Sequence, residues 1–163
     1  MNKFELTENY KMCFGRKLFQ IRALVSIKDV VESGELGGYI EKEGNLSQFG
    51  NSWVSGNAHV FGNARVIGNA LVTENARVSG NAFVAGNSRV TENAYVSGNA
   101  IVAGNSRVYG NSHVYGYAFV TGNSSVTGNA LVCENALVCE NAFVAAYSTV
   151  SGDEFVPLIN IYF

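Results

Sequence analysis

Ala85-Gly86-Asn87-Ser88-Arg89-Val90-Thr91-Glu92-Asn93-Ala94-Tyr95-Val96-Ser97-Gly98-Asn99-Ala100-Ile101-Val102-Ala103-Gly104-Asn105-Ser106-Arg107-Val108 is built from one six-residue unit, G-N-A-x-V-x. Outward from this stretch the unit runs without insertion from Gly50 to Gly152, with valine at Val54, Val60, Val66 and every sixth residue through Val150 and Val156. The residue two before each valine is small, as at Ala58, Ala64 and Ser106. Asn precedes that small residue almost every time, and Gly or Glu precedes the Asn. An inward residue at every sixth position matches neither the 3.6-residue period of a helix nor the two-residue period of a long strand. It fits a short strand x-V-x whose valine points inward, followed by a sharp corner. Gly and Asn suit the corner because they enter the left-handed backbone region at least cost. Asn side chains in register from coil to coil are placed to form hydrogen-bonded ladders.

A longer period sets the number of units per turn. Ala85-Gly86-Asn87-Ser88-Arg89-Val90 recurs as Ala103-Gly104-Asn105-Ser106-Arg107-Val108, eighteen residues later, and Thr73-Glu74-Asn75-Ala76 returns as Thr91-Glu92-Asn93-Ala94. Three units per coil make a triangular prism. Residues 44–152 then hold about six coils, with an axis of ~29 Å at ~4.8 Å per coil.

Residues 1–43 are not repetitive and read as an N-terminal β-rich cap, needed because a solenoid end exposes unpaired backbone and an open core. Phe4-Glu5-Leu6 reads as a short strand and Thr7-Glu8-Asn9 as a turn. Lys11-Met12-Cys13-Phe14 and Leu18–Leu24 flank Gly15-Arg16-Lys17 like a hairpin. Asp29–Gly34 fits a helical turn less clearly, and Glu35-Leu36-Gly37-Gly38-Tyr39-Ile40 a glycine turn feeding a first strand. The tail, residues 153–163, holds the only proline, Pro157, and many large apolar residues. It is expected to fold over the last coil as a lid, or to dock on a neighbour.

The coil pattern resembles the left-handed parallel β-helix of hexapeptide-repeat proteins, a family that includes many acyltransferases. The left hand is implied by that resemblance. Arg22-Ala23-Leu24, Lys28-Asp29-Val30, Gly34–Ile40 and Leu46-Ser47-Gln48 with Trp53-Val54 look like the opening of YdcK-like β-helix proteins. These are bacterial and phage proteins whose transferase label derives from fold. The fold class implied is all-β, a single-stranded left-handed parallel β-helix with an N-terminal β-rich cap.

Composition narrows the partners. The formal charge of −2 and pI near 5.7 predict no pull towards nucleic acid or an anionic membrane, and no dense negative field of a DNA mimic. Residues 1–43 carry seven acidic and seven basic side chains; the other 120 carry six and four. The opening Met1-Asn2-Lys3-Phe4-Glu5 lacks an apolar core segment, so no secretory signal is expected. No apolar run approaches the ~18 residues of a membrane span. Cys13, Cys133 and Cys139 cannot all pair, which fits free thiols in the cytoplasm.

Sorting the outward residues by eighteen gives three sides. The first carries Trp53, Leu71, Arg89, Arg107, Ser125 and Phe143; the second carries His59, Arg77, Tyr95, His113, Leu131 and Thr149. Both are mixed and expected to be solvated. The third carries Arg65, Phe83, Ile101, Phe119, Leu137 and Phe155, alongside Phe49, Ile67, Ala85, Ala103, Thr121 and Cys139. It is almost wholly apolar, and several hundred Å² of it exposed would mark an interface. Ile67, Phe83, Ile101, Phe119, Leu137 and Phe155 are the candidate interface residues; cover by residues 1–43 or by the tail is the competing reading.

Catalytic groups are sparse. Acyltransferases that the coils resemble usually work beside a loop projecting from the prism, and no unit between Gly50 and Gly152 is interrupted to make one. His59 and His113 are the only histidines; they share a side but lie three coils, ~14 Å, apart, too far to share a proton transfer. No catalytic residue is therefore assigned, with His113 or His59 in an intersubunit site as the alternative. The γ-class carbonic anhydrase site needs three histidines on zinc, so no metal site is expected. Cys133 and Cys139 lie on adjacent sides and project apart. Arg89 and Arg107 stack one coil apart and are a weak candidate for binding phosphate or carboxylate. A threonine grid for ice binding is absent.

The expected function is a non-enzymatic, oligomeric binding scaffold, a trimer or dimer that uses its apolar side. A phage or mobile-element accessory acting on a host protein is one version. No cofactor is expected; the alternative is an acyl-CoA-dependent acyltransferase that takes acetyl-CoA.

Overall fold

The structure, a computed structural model, describes residues 2–157 and the backbone of residues 160–162. The chain forms an all-β parallel solenoid of about seven coils whose strands recur every eighteen residues. Among the described residues there is no α-helix, and so none long and apolar enough to cross a membrane. Three sheets make the walls. Arg89 pairs with Leu71 before it and Arg107 after it, Tyr95 with Arg77 and His113, and Ile101 with Phe83 and Phe119. The three sides therefore hold the residues that the eighteen-residue period assigns to them.

The core is a stack of valines. Val54 and every sixth residue to Val150 are fully buried, and the alanines two places before them are equally closed off. At Ser88, Ser106, Ser112 and Ser124, which take that place, the hydroxyl turns to its own corner, as Ser106 Oγ does in donating to Ala103 O at 2.7 Å. A buried hydroxyl is tolerated only with such a partner. At the corners the expected ladders form. Asn69, Asn87, Asn105 and Asn123 each donate amide to amide to the next coil at 2.9–3.2 Å, and Asn141 is the last acceptor.

The extra coil comes from both flanks. The cap has three strands, β1 (Phe4–Cys13), β2 (Arg16–Ala23) and β3 (Leu36–Ile40). β1 and β2 pair antiparallel, β2 and β3 likewise, and β3 then pairs parallel with His59–Val60 as a first rung of the second side. Leu46 bridges Val66 as a first contact of the third side. Two local expectations change. Thr7-Glu8-Asn9 is not a turn but a bulge within one continuous β1, where the register shifts between Leu6 and Tyr10 and Thr7 Oγ1 donates to Gln20 O at 2.9 Å. The hairpin turn is Phe14-Gly15, both at positive φ (49° and 73°), so Arg16 and Lys17 already belong to β2. The stretch read as a possible helical turn is a tight reversal closed by an Ile27–Val31 bridge.

The described part of the tail also extends the prism. Phe155–Val156 pairs parallel with Leu137–Val138, and Asn160–Tyr162 with Phe143–Ala145. These are added rungs rather than a cover laid across the end. Leu158, Ile159 and Phe163, and the side chains of 160–162, fall outside the described residues, so the lid expectation there has no structural counterpart to compare.

Candidate binding faces

The third side is open along its length among the described residues. Large side chains stand in register on successive rungs, Phe83, Ile101, Phe119, Leu137 and Phe155. Ile101 and Phe119 are each 37% exposed and Phe155 58%. Two positions along each strand, on the same outward side, lie Ala85, Ala103, Thr121 and Cys139, with Ile67 at the N-terminal end and Phe49 beyond it, 84% exposed. The strand pleat thus builds a ridge of large apolar groups beside a furrow of small ones. Cys139 lies in the furrow, and burial, with Glu140 beside it, pushes its thiol up. It is held as the neutral thiol, not as a nucleophile.

The second side departs from the expected solvated surface at its N-terminal end. The β1–β2 hairpin leans over it. Phe14 stacks on Phe61 with ring centroids 6.0 Å apart, leaving Phe61 buried. Arg77 sits 5.9 Å from the Phe14 ring, and the Lys11 ammonium lies 4.2 Å over Tyr39. His59 is caught beneath, edge-on to Tyr39 at 5.7 Å. Both of its ring nitrogens are buried without a hydrogen-bond partner. Burial, then the positive charges of Lys11 and Arg77, hold its pKa below the ordinary histidine range. His113 is exposed, edge-on to Tyr95 at 5.8 Å, and three rungs from His59. The two histidines are not brought together.

The first side begins with a covered rung too. Trp53 is buried, edge-on to Phe4 at 6.5 Å. Lys3 reaches past it to donate to Ser52 O at 2.7 Å and Ser52 Oγ at 3.1 Å, and burial lowers its ammonium to about 8. Further along, Arg89 and Arg107 are exposed register partners and, with Thr91 and Tyr109, line a groove of about 360 Å³. Cys133 is buried and Cys13 partly so, both free thiols. Sequence spacing had no signal for the burial of Trp53, His59 and Phe61, because the cap that covers them is not periodic.

No curated protein matches the chain. The family model for the YdcK β-solenoid repeat matches it twice, over residues 76–92 and 94–110. Those two stretches are thus similar to YdcK β-solenoid repeats, and they lie in the stacked parallel coils of a β-solenoid.

Proposed function

We propose that the protein is a non-enzymatic scaffold that assembles through its apolar third side, and that the occupant of that side is a second copy of the chain. The observation that carries this reading is the ridge of Phe83, Ile101, Phe119, Leu137 and Phe155 beside the furrow of Ala85, Ala103, Thr121 and Cys139. Such a surface is self-complementary. A two-fold axis in the plane of contact, parallel to the solenoid axis, lays the ridge of each copy into the furrow of the other. An exposed apolar patch of roughly several hundred Å² is of the size that marks an interaction surface. A flat side meets a second flat side over its whole width, whereas a three-fold arrangement leaves a wedge, so the dimer is favoured over the trimer. An acyl-CoA site draws less support. His59 is covered by the hairpin with its nitrogens unpartnered, and the chain's other histidine is His113.

Analytical ultracentrifugation tests the proposal. The wild type should sediment as a dimer, and Ile101→Glu with Phe119→Glu should sediment as a monomer with an unchanged far-ultraviolet circular dichroism spectrum. A wild-type monomer at micromolar concentration, or a dimer that survives both charges, would overturn it.

A further inference from the structure

We propose that the first side carries an oxyanion site in the groove lined by Arg89, Thr91, Arg107 and Tyr109, and that its ligand is a phosphate group. Arg89 and Arg107 are Cα partners on adjacent parallel strands, so their backbones stand ~4.8 Å apart. Like charges side by side on one sheet repel, and a nearby carboxylate would relieve them. Among the described residues no carboxylate pairs with either. Among those residues the ion pairs are Arg16–Glu41 and Arg22–Glu5, both involving the cap, and there neither the Arg89 nor the Arg107 guanidinium has a hydrogen-bond or ion-pair partner. The acid closest in sequence, Glu92, turns its carboxylate to the Gly110 N–H at 2.9 Å, tying one corner to the next. Leu71 and Ser125, on the flanking rungs, bring no charge.

The groups around this charge suit a tetrahedral anion. Each guanidinium is a donor-only fork. Across each strand, ~7 Å away on the same outward side, stands a hydroxyl, Thr91 beside Arg89 and Tyr109 beside Arg107. A planar carboxylate is satisfied by one fork. A phosphate presents oxygens to two forks on adjacent rungs and keeps others for a hydroxyl on the far side. The groove is larger than the phosphate itself, so the group can arrive as free phosphate or on a phosphomonoester. The site lies on a different wall from the apolar ridge and does not depend on the assembly proposed for that ridge.

The test is calorimetric titration of the whole protein with inorganic phosphate and, separately, glycerol phosphate, at constant ionic strength set with chloride. Thermal melts are recorded alongside. Saturable phosphate binding is expected, with a rise in melting temperature that chloride does not reproduce. Arg89→Gln combined with Arg107→Gln should weaken binding at least about tenfold while keeping the circular dichroism spectrum. Arg89→Lys, which keeps the charge and loses the fork, should fall between the two. Tighter binding of glycerol phosphate would assign the ligand to a phosphomonoester, and equal binding to free phosphate. Absence of saturable binding, equal stabilisation by chloride, or wild-type affinity in the double variant would overturn the proposal.

Discussion

A corner residue of this prism has two duties: it enters the left-handed region, and it leaves room for the backbone of the next coil. Glycine does both. At Gly122, φ is +71°, and an added Cβ would stand 2.6 Å from Glu140 N and O. Glu74, Glu92 and Glu134 carry a real Cβ at positive φ, and the ladder widens to admit it. Asn75 N donates to Glu92 O at 2.9 Å, and the Asn93 and Asn135 amides reach the next corner at 3.0 Å, against 2.7 Å beside glycine at Asn87 and Asn99. Room for a Cβ thus comes from opening one corner slightly, at the expense of its hydrogen bond. Gly122 faces a tighter neighbour, so Gly122→Ala should cost about 2 kcal/mol, read from the shift in urea midpoint. A loss below about 0.5 kcal/mol would show that the coil opens freely there.

The β1–β2 hairpin is the element that makes one side of the prism unlike a solvated wall. Its tip places Phe14 on Phe61 and its strand brings Lys11 towards His59, with Arg77 on the next rung. A histidine enclosed there favours the neutral ring, and its native pKa is lowered, first by burial and then by the two cations. The unfolded chain therefore takes up the proton first as pH falls. The contribution is fully present above the ordinary histidine value of about 6.5 and is lost as pH drops below it, towards the native pKa. Urea unfolding at about pH 7.5 and about pH 5.5 should show wild-type stability falling between the two. In His59→Leu that fall should shrink; an equal slope in the variant would place the titration elsewhere.

At the scale of the whole molecule, each coil touches only the coils above and below it, so stability is transmitted along one axis. Val102 lies in a central coil with rungs on both sides, while Val156 pairs with Val138 near the C-terminal end. Val102→Ala should destabilise the cooperative transition by about 2 kcal/mol. Val156→Ala should leave that transition nearly unmoved and increase hydrogen exchange locally in the last coil, because a terminal rung frays without breaking the stack. Equal effects at the two positions would mean that the prism melts as one unit from end to end.

The sequence by itself determined the coil: the inward valines, the small residue two before them, the Gly-Asn corners, three units to a turn, and the residues sharing each wall. These follow from local spacing, since a strict repeat makes every coil's neighbours the residues eighteen positions away. It also singled out the apolar ridge and the Arg89–Arg107 pair, whose register the strand pairing shows. The tertiary structure alone decided what covers what. Contacts such as Lys3 with Ser52 and Phe14 with Phe61 join a segment without a period to coil residues more than forty positions away. Burial of Trp53, Phe61 and His59 was therefore invisible in the spacing. The third side stays open for the same reason: the hairpin hydrogen-bonds through β3 to the sheet of the second wall, and that pairing carries the cap away from the ridge.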